Sequence, residues 1–153
     1  LSSGESRGQS WGLYALGEHL LSRRPDGSGS LRAFARAGMA SGEVSRLGFF
    51  LSGGLTREGP LESRPQDALG LGLAHARNGS PFLRSQAAMG TRMDRGETVL
   101  ELNYRFQAGE HIAIQPDLQW VRNPGMNPEV SDALLLGVRG QLLLEFPFGD
   151  GGS

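Results

Sequence analysis

Polar side chains able to hydrogen-bond recur two or four positions apart in several stretches of this sequence. Arg32 and Arg36 form one such set; Glu101, Asn103 and Arg105 a second; Gln115, Asp117 and Gln119 a third; and Arg139, Gln141 and Glu145 a fourth. Successive side chains of a strand point to opposite faces, so each set shares one side of an extended chain. Such sets do not make a nucleophile or a metal cage. They make a wet surface whose groups replace the hydration of a solute's hydroxyls and then release it. Arginine suits this task, because its planar fork of donors stays charged and also stacks. Every one of the 15 basic residues is an arginine. The same residues also admit a plainer reading, as ion pairs that keep a strand wall polar, and both readings stay open here.

Other chemistries find less support. His19, His75 and His111 lie in different segments, none in the spacing of a zinc motif such as HExxH. Without cysteine there is no disulfide framework and no thiolate metal site. No catalytic residue, metal or cofactor is expected. Gly70-Leu71-Gly72 is a fragment of a dinucleotide fingerprint, but it sits inside a strand with no helix after it. Small residues easing the curvature or packing of a sheet explain it better. Asn78-Gly79-Ser80 spells a glycosylation sequon and reads as loop chemistry. The charged run 58–64 reads as a solvated turn. Net charge is −1 with the signs mixed, which leaves no basic footprint for nucleic acid.

The elements that must position the polar sets are strands. No apolar run reaches the roughly 20 residues of a membrane-spanning helix. A membrane β-strand needs only about ten, alternating apolar and polar. In 98–106, Leu100, Leu102, Tyr104 and Phe106 oppose Glu101, Asn103 and Arg105. In the next run Ile112, Ile114, Pro116, Leu118 and Trp120 oppose Ala113, Gln115, Asp117 and Gln119. The last run, expected to be the longest, sets Leu134, Leu136, Val138, Leu142, Leu144 and Phe146 against Gly137, Arg139, Gln141 and Glu145. Three earlier runs alternate with more small residues, over 31–39, 47–56 and 69–74. The first, 10–21, is apolar on both sides and reads as a strand or a short helix. Turn formers separate the runs: Arg24-Pro25-Asp26-Gly27, Gln107-Ala108-Gly109-Glu110 and Asn123-Pro124-Gly125. The stretch 77–96 is the longest irregular piece, with a helical turn expected around 84–89.

These runs predict an all-β chain: an antiparallel up-and-down transmembrane β-barrel, here a fragment of about seven strands. The whole chain, 1–153, is expected to be one domain. Complete bacterial barrels normally have an even strand number, and an unpaired edge in hydrocarbon is costly. Seven strands therefore predict a piece of a larger barrel, with 10–21 and 132–146 as open edges. Short turns belong to the periplasmic side and long loops to the outside. That orientation puts Phe106 and Phe146 at one rim and Trp120 at the other. The chain begins Leu1-Ser2-Ser3-Gly4 with no initiator Met, basic n-region or apolar h-region, and is expected to be a processed or truncated product. A soluble β-sandwich with a carbohydrate-binding or structural role is the alternative.

Five segments in order resemble the carbohydrate-selective porins of the OprB type: Trp11-Gly12-Leu13-Tyr14; Arg64-Pro65-Gln66-Asp67-Ala68-Leu69-Gly70-Leu71-Gly72; Glu97-Thr98-Val99-Leu100-Glu101-Leu102-Asn103-Tyr104-Arg105; Gln115-Pro116-Asp117-Leu118-Gln119-Trp120 with the Asn123-Pro124-Gly125 turn; and Leu136-Gly137-Val138-Arg139. Their order and spacing fit the C-terminal portion of that family. The resemblance implies a barrel of about sixteen strands, located in the bacterial outer membrane and conducting small sugars passively. It further implies outer-membrane lipid around the wall and barrel-assembly machinery as a partner. Arg32, Arg36, Glu101, Asn103, Arg105, Gln115, Asp117, Gln119 and Arg139 would then line the pore and contact sugar. The tail departs from the family: these barrels commonly finish at a terminal aromatic, whereas here 147–153 continue.

Overall fold

The structure, a computed structural model, describes residues 11–41 and 45–144. Each alternating run becomes a strand: β1 (Gly12–Arg23), β2 (Ser30–Ala40), β3 (Leu47–Glu58), β4 (Ala68–Asn78), β5 (Gly96–Gln107), β6 (Ile112–Arg122) and β7 (Ala133–Leu142). They form one seven-stranded sheet in the order β1-β2-β3-β4-β5-β6-β7, with every neighbouring pair antiparallel. Among the described residues β1 and β7 do not pair, so they are the open edges. At 10 to 12 residues each, the strands have the length that crosses a bilayer at a tilt.

Register decides which side chains share a face, because directly opposed residues of an antiparallel pair point the same way. Leu55 lies opposite Leu71, Leu71 opposite Leu102, Leu102 opposite Leu118 and Leu118 opposite Leu136. The result is a band of leucine running across β3 to β7. One residue away, Thr56, Gly70, Asn103, Asp117 and Gly137 form the matching row on the other face.

The sheet has almost no core of its own. Among the described residues the only buried apolar side chains are Ala113 and Met126, while Leu102 is 46% and Leu136 79% exposed. A soluble sandwich would cover that leucine band with a second sheet, and none is present among the described residues. A face this apolar and this bare suits a hydrocarbon solvent.

The first run is strand from Gly12 on, as its strand reading has it, with a register shift between Leu20 and Ser22. Several other elements differ from the expectation. β7 is the shortest strand, not the longest. Its partner β6 begins only at Ile112, and the last rung past Leu142 is Leu143 N–H to His111 O at 2.8 Å. Glu145, Phe146 and the tail lie outside the described residues. Pro116 has no N–H, and the β5–β6 ladder skips the rungs beside it, between Asn103↔Asp117 and Phe106↔Ile114. The irregular stretch holds a helix longer than one turn, α1 (Ser80–Ala88), with proline in its first turn. In the Asn123-Pro124-Gly125 turn both Asn123 (φ 55°) and Gly125 (φ 66°) are left-handed.

The charged run before β4 is more than a solvated turn. Asp67 is 2% exposed. Its carboxylate is paired with the Arg64 guanidinium and accepts from Tyr104 Oη at 2.6 Å and from the Gln107 backbone N–H at 2.9 Å. Arg64 also donates to Gln107 O at 3.1 Å and lies 3.9 Å above the Phe106 ring. The β3–β4 turn is thereby clamped to the end of β5. The Arg64 guanidinium, with help from Tyr104 and Gln107, holds the Asp67 carboxyl well below the usual carboxylate range.

Candidate pore-lining face

All nine candidate residues stand on the face opposite the leucines. Arg32 and Arg36 come from β2, Glu101, Asn103 and Arg105 from β5, Gln115, Asp117 and Gln119 from β6, and Arg139 from β7. The ladders set Glu101 opposite Gln119, Asn103 opposite Asp117, and Gln115 opposite Arg139.

Four of them form one web. Asn103 Nδ2 donates to Glu101 Oε1 at 2.9 Å, and Gln119 Nε2 reaches both Glu101 Oε2 at 3.2 Å and Asp117 Oδ2 at 3.3 Å. One amide thus bridges two carboxylates and offsets part of their repulsion. Arg32 pairs with Glu18 of β1 at 3.4 Å; both side chains are over a third exposed, so this pair is weak. Arg36 lies 5.6 Å from the Phe34 ring. Arg36, Arg105, Gln115 and Arg139 make no side-chain hydrogen bond or ion pair with another described residue. Arg105 borders a small cleft at the short-turn end, shared with Glu58 and Asp67.

Glycine forms the floor between these groups. Gly54 faces Gly72, which faces Glu101, and Gly70 faces Asn103. The Phe34 ring lies over Gly54, where an added Cβ would stand 2.7 Å from Cε1. A shallow trough of about 270 Å³ results, with Phe34 on one side and Glu101 and Asn103 on the other. Its walls combine an apolar ring with acceptor and amide groups, a combination able to meet both the C–H and O–H faces of a sugar.

The sequence reading missed Glu18, because both sides of β1 look apolar, and it missed the trough, because glycines carry no pattern until strands are paired. It also missed that Gly4-Glu5-Ser6-Arg7-Gly8 spells the G-x-S-x-G of a nucleophile elbow; that pentapeptide lies outside the described residues.

An antiparallel meander of bilayer-length strands, apolar on one face and polar on the other, defines a segment of a membrane β-barrel wall. The comparisons agree. The profile of the carbohydrate-selective porin, OprB family matches residues 2–143, and the chain belongs to that family. It is similar to Porin B of Pseudomonas aeruginosa, 24% identical over 149 residues, covering 88% of this chain and 33% of that one. Porin AaxA of Chlamydia abortus is 29% identical over 109 residues, 71% of this chain and 23% of its own. A solved structure of Pseudomonas putida OprB, determined at high pH, superposes with a TM-score of 0.79 at 23% identity, covering 86% of this chain and 34% of that one. This chain therefore spans between about a quarter and a third of the length of these relatives. Its setting is the bacterial outer membrane, and the family to which it belongs is one of porins, not a class of enzymes.

Proposed function

We propose that the polar face lines the path of a pore for passive, carbohydrate-selective diffusion of small sugars. On the order of the sequence motifs, the seven strands supply the C-terminal part of its wall. The observation that carries this reading is that, across β3 to β7, the mid-sheet leucine row is backed on the other face by the Thr56, Gly70, Asn103, Asp117 and Gly137 row. Every candidate residue opposes the exposed leucine band, and Arg36, Arg105 and Arg139 keep guanidiniums that no described acid occupies. A free guanidinium offers up to five donors to passing hydroxyls. The Glu101–Asn103–Gln119–Asp117 web and the Arg32–Glu18 pair already bond within the wall. That favours a second role for those residues, holding the wall polar and the trough in shape.

The test is sugar block of ion current through the reconstituted porin in a planar bilayer. Arg36→Ala and Arg105→Ala should each weaken block by up to about fivefold, the equivalent of one solvated hydrogen bond near 1 kcal/mol. Arg32→Ala, already engaged by Glu18, should change it less. Unchanged block in the Arg36 and Arg105 variants, with ion conduction intact, would make these arginines scaffolding and move selectivity elsewhere in the barrel.

A further inference from the structure

The polar face does not hold all of the charge. On the leucine face, at the end of the sheet that carries the long loops 79–95 and 123–132, one cross-strand row reads His75, Thr98, Arg122. One residue pair further out stands Arg77, opposite Gly96. Arg95 joins them from the loop, and together these residues line a cleft of about 390 Å³. Gly96 keeps the cleft open, since a Cβ there would stand 2.9 Å from the His75 ring. His75 Nδ1 is held by Thr98 Oγ1 at 2.9 Å. Arg77, Arg95 and Arg122 are exposed, and their guanidiniums make no hydrogen bond or ion pair with another described residue. The one acid in the lining is Asp94, so three guanidiniums face a single carboxylate.

Just inside this row lies Leu73, Leu100, Trp120 and Leu134, about 7 Å nearer the middle of the sheet at some 3.3 Å per residue. Trp120 is 40% exposed and sits where an aromatic girdle marks the membrane–water boundary. The arginines stand one step beyond it, at headgroup height. At the other end of the sheet the corresponding face offers Arg57, flanked by Leu31 and Leu69, and Arg64 over Phe106, whose charge is paired with Asp67. The basic cluster therefore belongs to one leaflet, the outer one if the long loops are external.

We propose that Arg77, Arg95 and Arg122 form a phosphate-binding site for a phosphorylated glycolipid of the outer leaflet, whose acyl chains lie along the Leu73–Leu100–Trp120 surface. Guanidinium forks match phosphate oxygens in charge and geometry. The His75–Thr98–Arg122 row of the cleft stands next to the Leu73–Leu100–Trp120 row of the leucine band, which favours a lipid over a free anion: a lipid fills both halves of the surface and inorganic phosphate fills one. The inference rests on the membrane setting of the chain and is independent of the sugar reading, because its residues lie on the opposite face.

The test uses the folded porin in neutral detergent, with binding followed by native mass spectrometry against diphosphoryl lipid A, its dephosphorylated form and inorganic phosphate. Arg77→Gln combined with Arg122→Gln should weaken diphosphoryl lipid A on the order of tenfold, for two lost charge-assisted contacts. Arg95→Gln, in a loop, gives a smaller loss should the double variant fail to fold. Asp94→Asn should move affinity the other way, by roughly twofold. Sugar block serves as the separate readout and should stay at the parent value in all of them. The inference is overturned if the arginine variants bind lipid A as tightly as the parent, if removing its phosphates costs nothing, or if millimolar inorganic phosphate displaces it.

Discussion

The two faces of this sheet are built from alternate residues of the same strands, yet they follow opposite rules. The leucine face is repetitive: side chains of similar size meet across five strands, and charge enters only near the ends, at Arg57, Arg77 and Arg122. The polar face is particular. Glycines at 54, 70 and 72 sit beside an aromatic ring and a bridged pair of carboxylates, and a change of one residue alters what its neighbour can do. On the proposed function, the difference teaches that the leucine side answers to a solvent and the other side to a solute. Hydrocarbon asks only that each side chain be apolar, whereas a sugar path asks for shape and for placed donors and acceptors.

The largest effect should come from breaking that division in mid-sheet. Leu102 has Leu71 and Leu118 on either side. Leu102→Arg would place a charge in hydrocarbon at a cost of about 2–4 kcal/mol near the midplane. Asn103→Arg, the next residue on the other face, should cost little. Folding yield into vesicles, read as heat-modifiable gel mobility, compares the two, and equal yields would mean that the leucine face does not meet lipid.

At the rim the two faces meet in one cluster, where Tyr104 from the leucine side reaches Asp67 in the turn. Asp67→Asn should lower the melting temperature of the detergent-folded protein by on the order of 5 °C at neutral pH. The sign with pH follows from the depressed folded pKa. The unfolded carboxyl takes up its proton near pH 4, while the folded one resists, so the stabilisation is complete above that value. It is lost as pH falls through the folded pKa. The gap between parent and variant should therefore be widest above about pH 4 and close on further acidification. A gap independent of pH would assign Asp67 a packing role alone.

The smallest effects should sharpen the particularity of the polar face. A Cβ at Gly54 would meet the backbone oxygen of Leu71 at 2.5 Å, while one at Gly70 would meet the movable Asn103 side chain at 2.6 Å. Gly54→Ala should cost about 1–3 kcal/mol of unfolding free energy, as in an overpacked core. Gly70→Ala should cost under about 1 kcal/mol, and chemical denaturation in detergent measures both. Equal costs would mean that the trough accommodates side chains freely.

Strand number, strand faces and the polar set were legible in the sequence, because a period of two survives whatever the strand packs against. Leu100, Leu102, Glu101 and Asn103 separate into their faces without knowledge of any partner strand. So did the turns at 24–27 and 123–125, whose proline, glycine and asparagine carry their own backbone preferences. The end of β7 was not legible. Its alternation continues in the sequence to Phe146, yet among the described residues the ladder ends at Leu142, opposite the first residue of β6, and that limit belongs to the neighbour. Arg64 looked like one charge in a solvated run; its hydrogen bond to the Gln107 carbonyl and its stacking on Phe106 depend on a turn folding against a strand some 40 residues away. The trough and the basic cleft were hidden for the same reason. Each joins residues of three or more strands, and which residues stand abreast is set by register. A register is a pairing between segments, held by backbone hydrogen bonds that every residue type but proline makes alike, so no single segment encodes it.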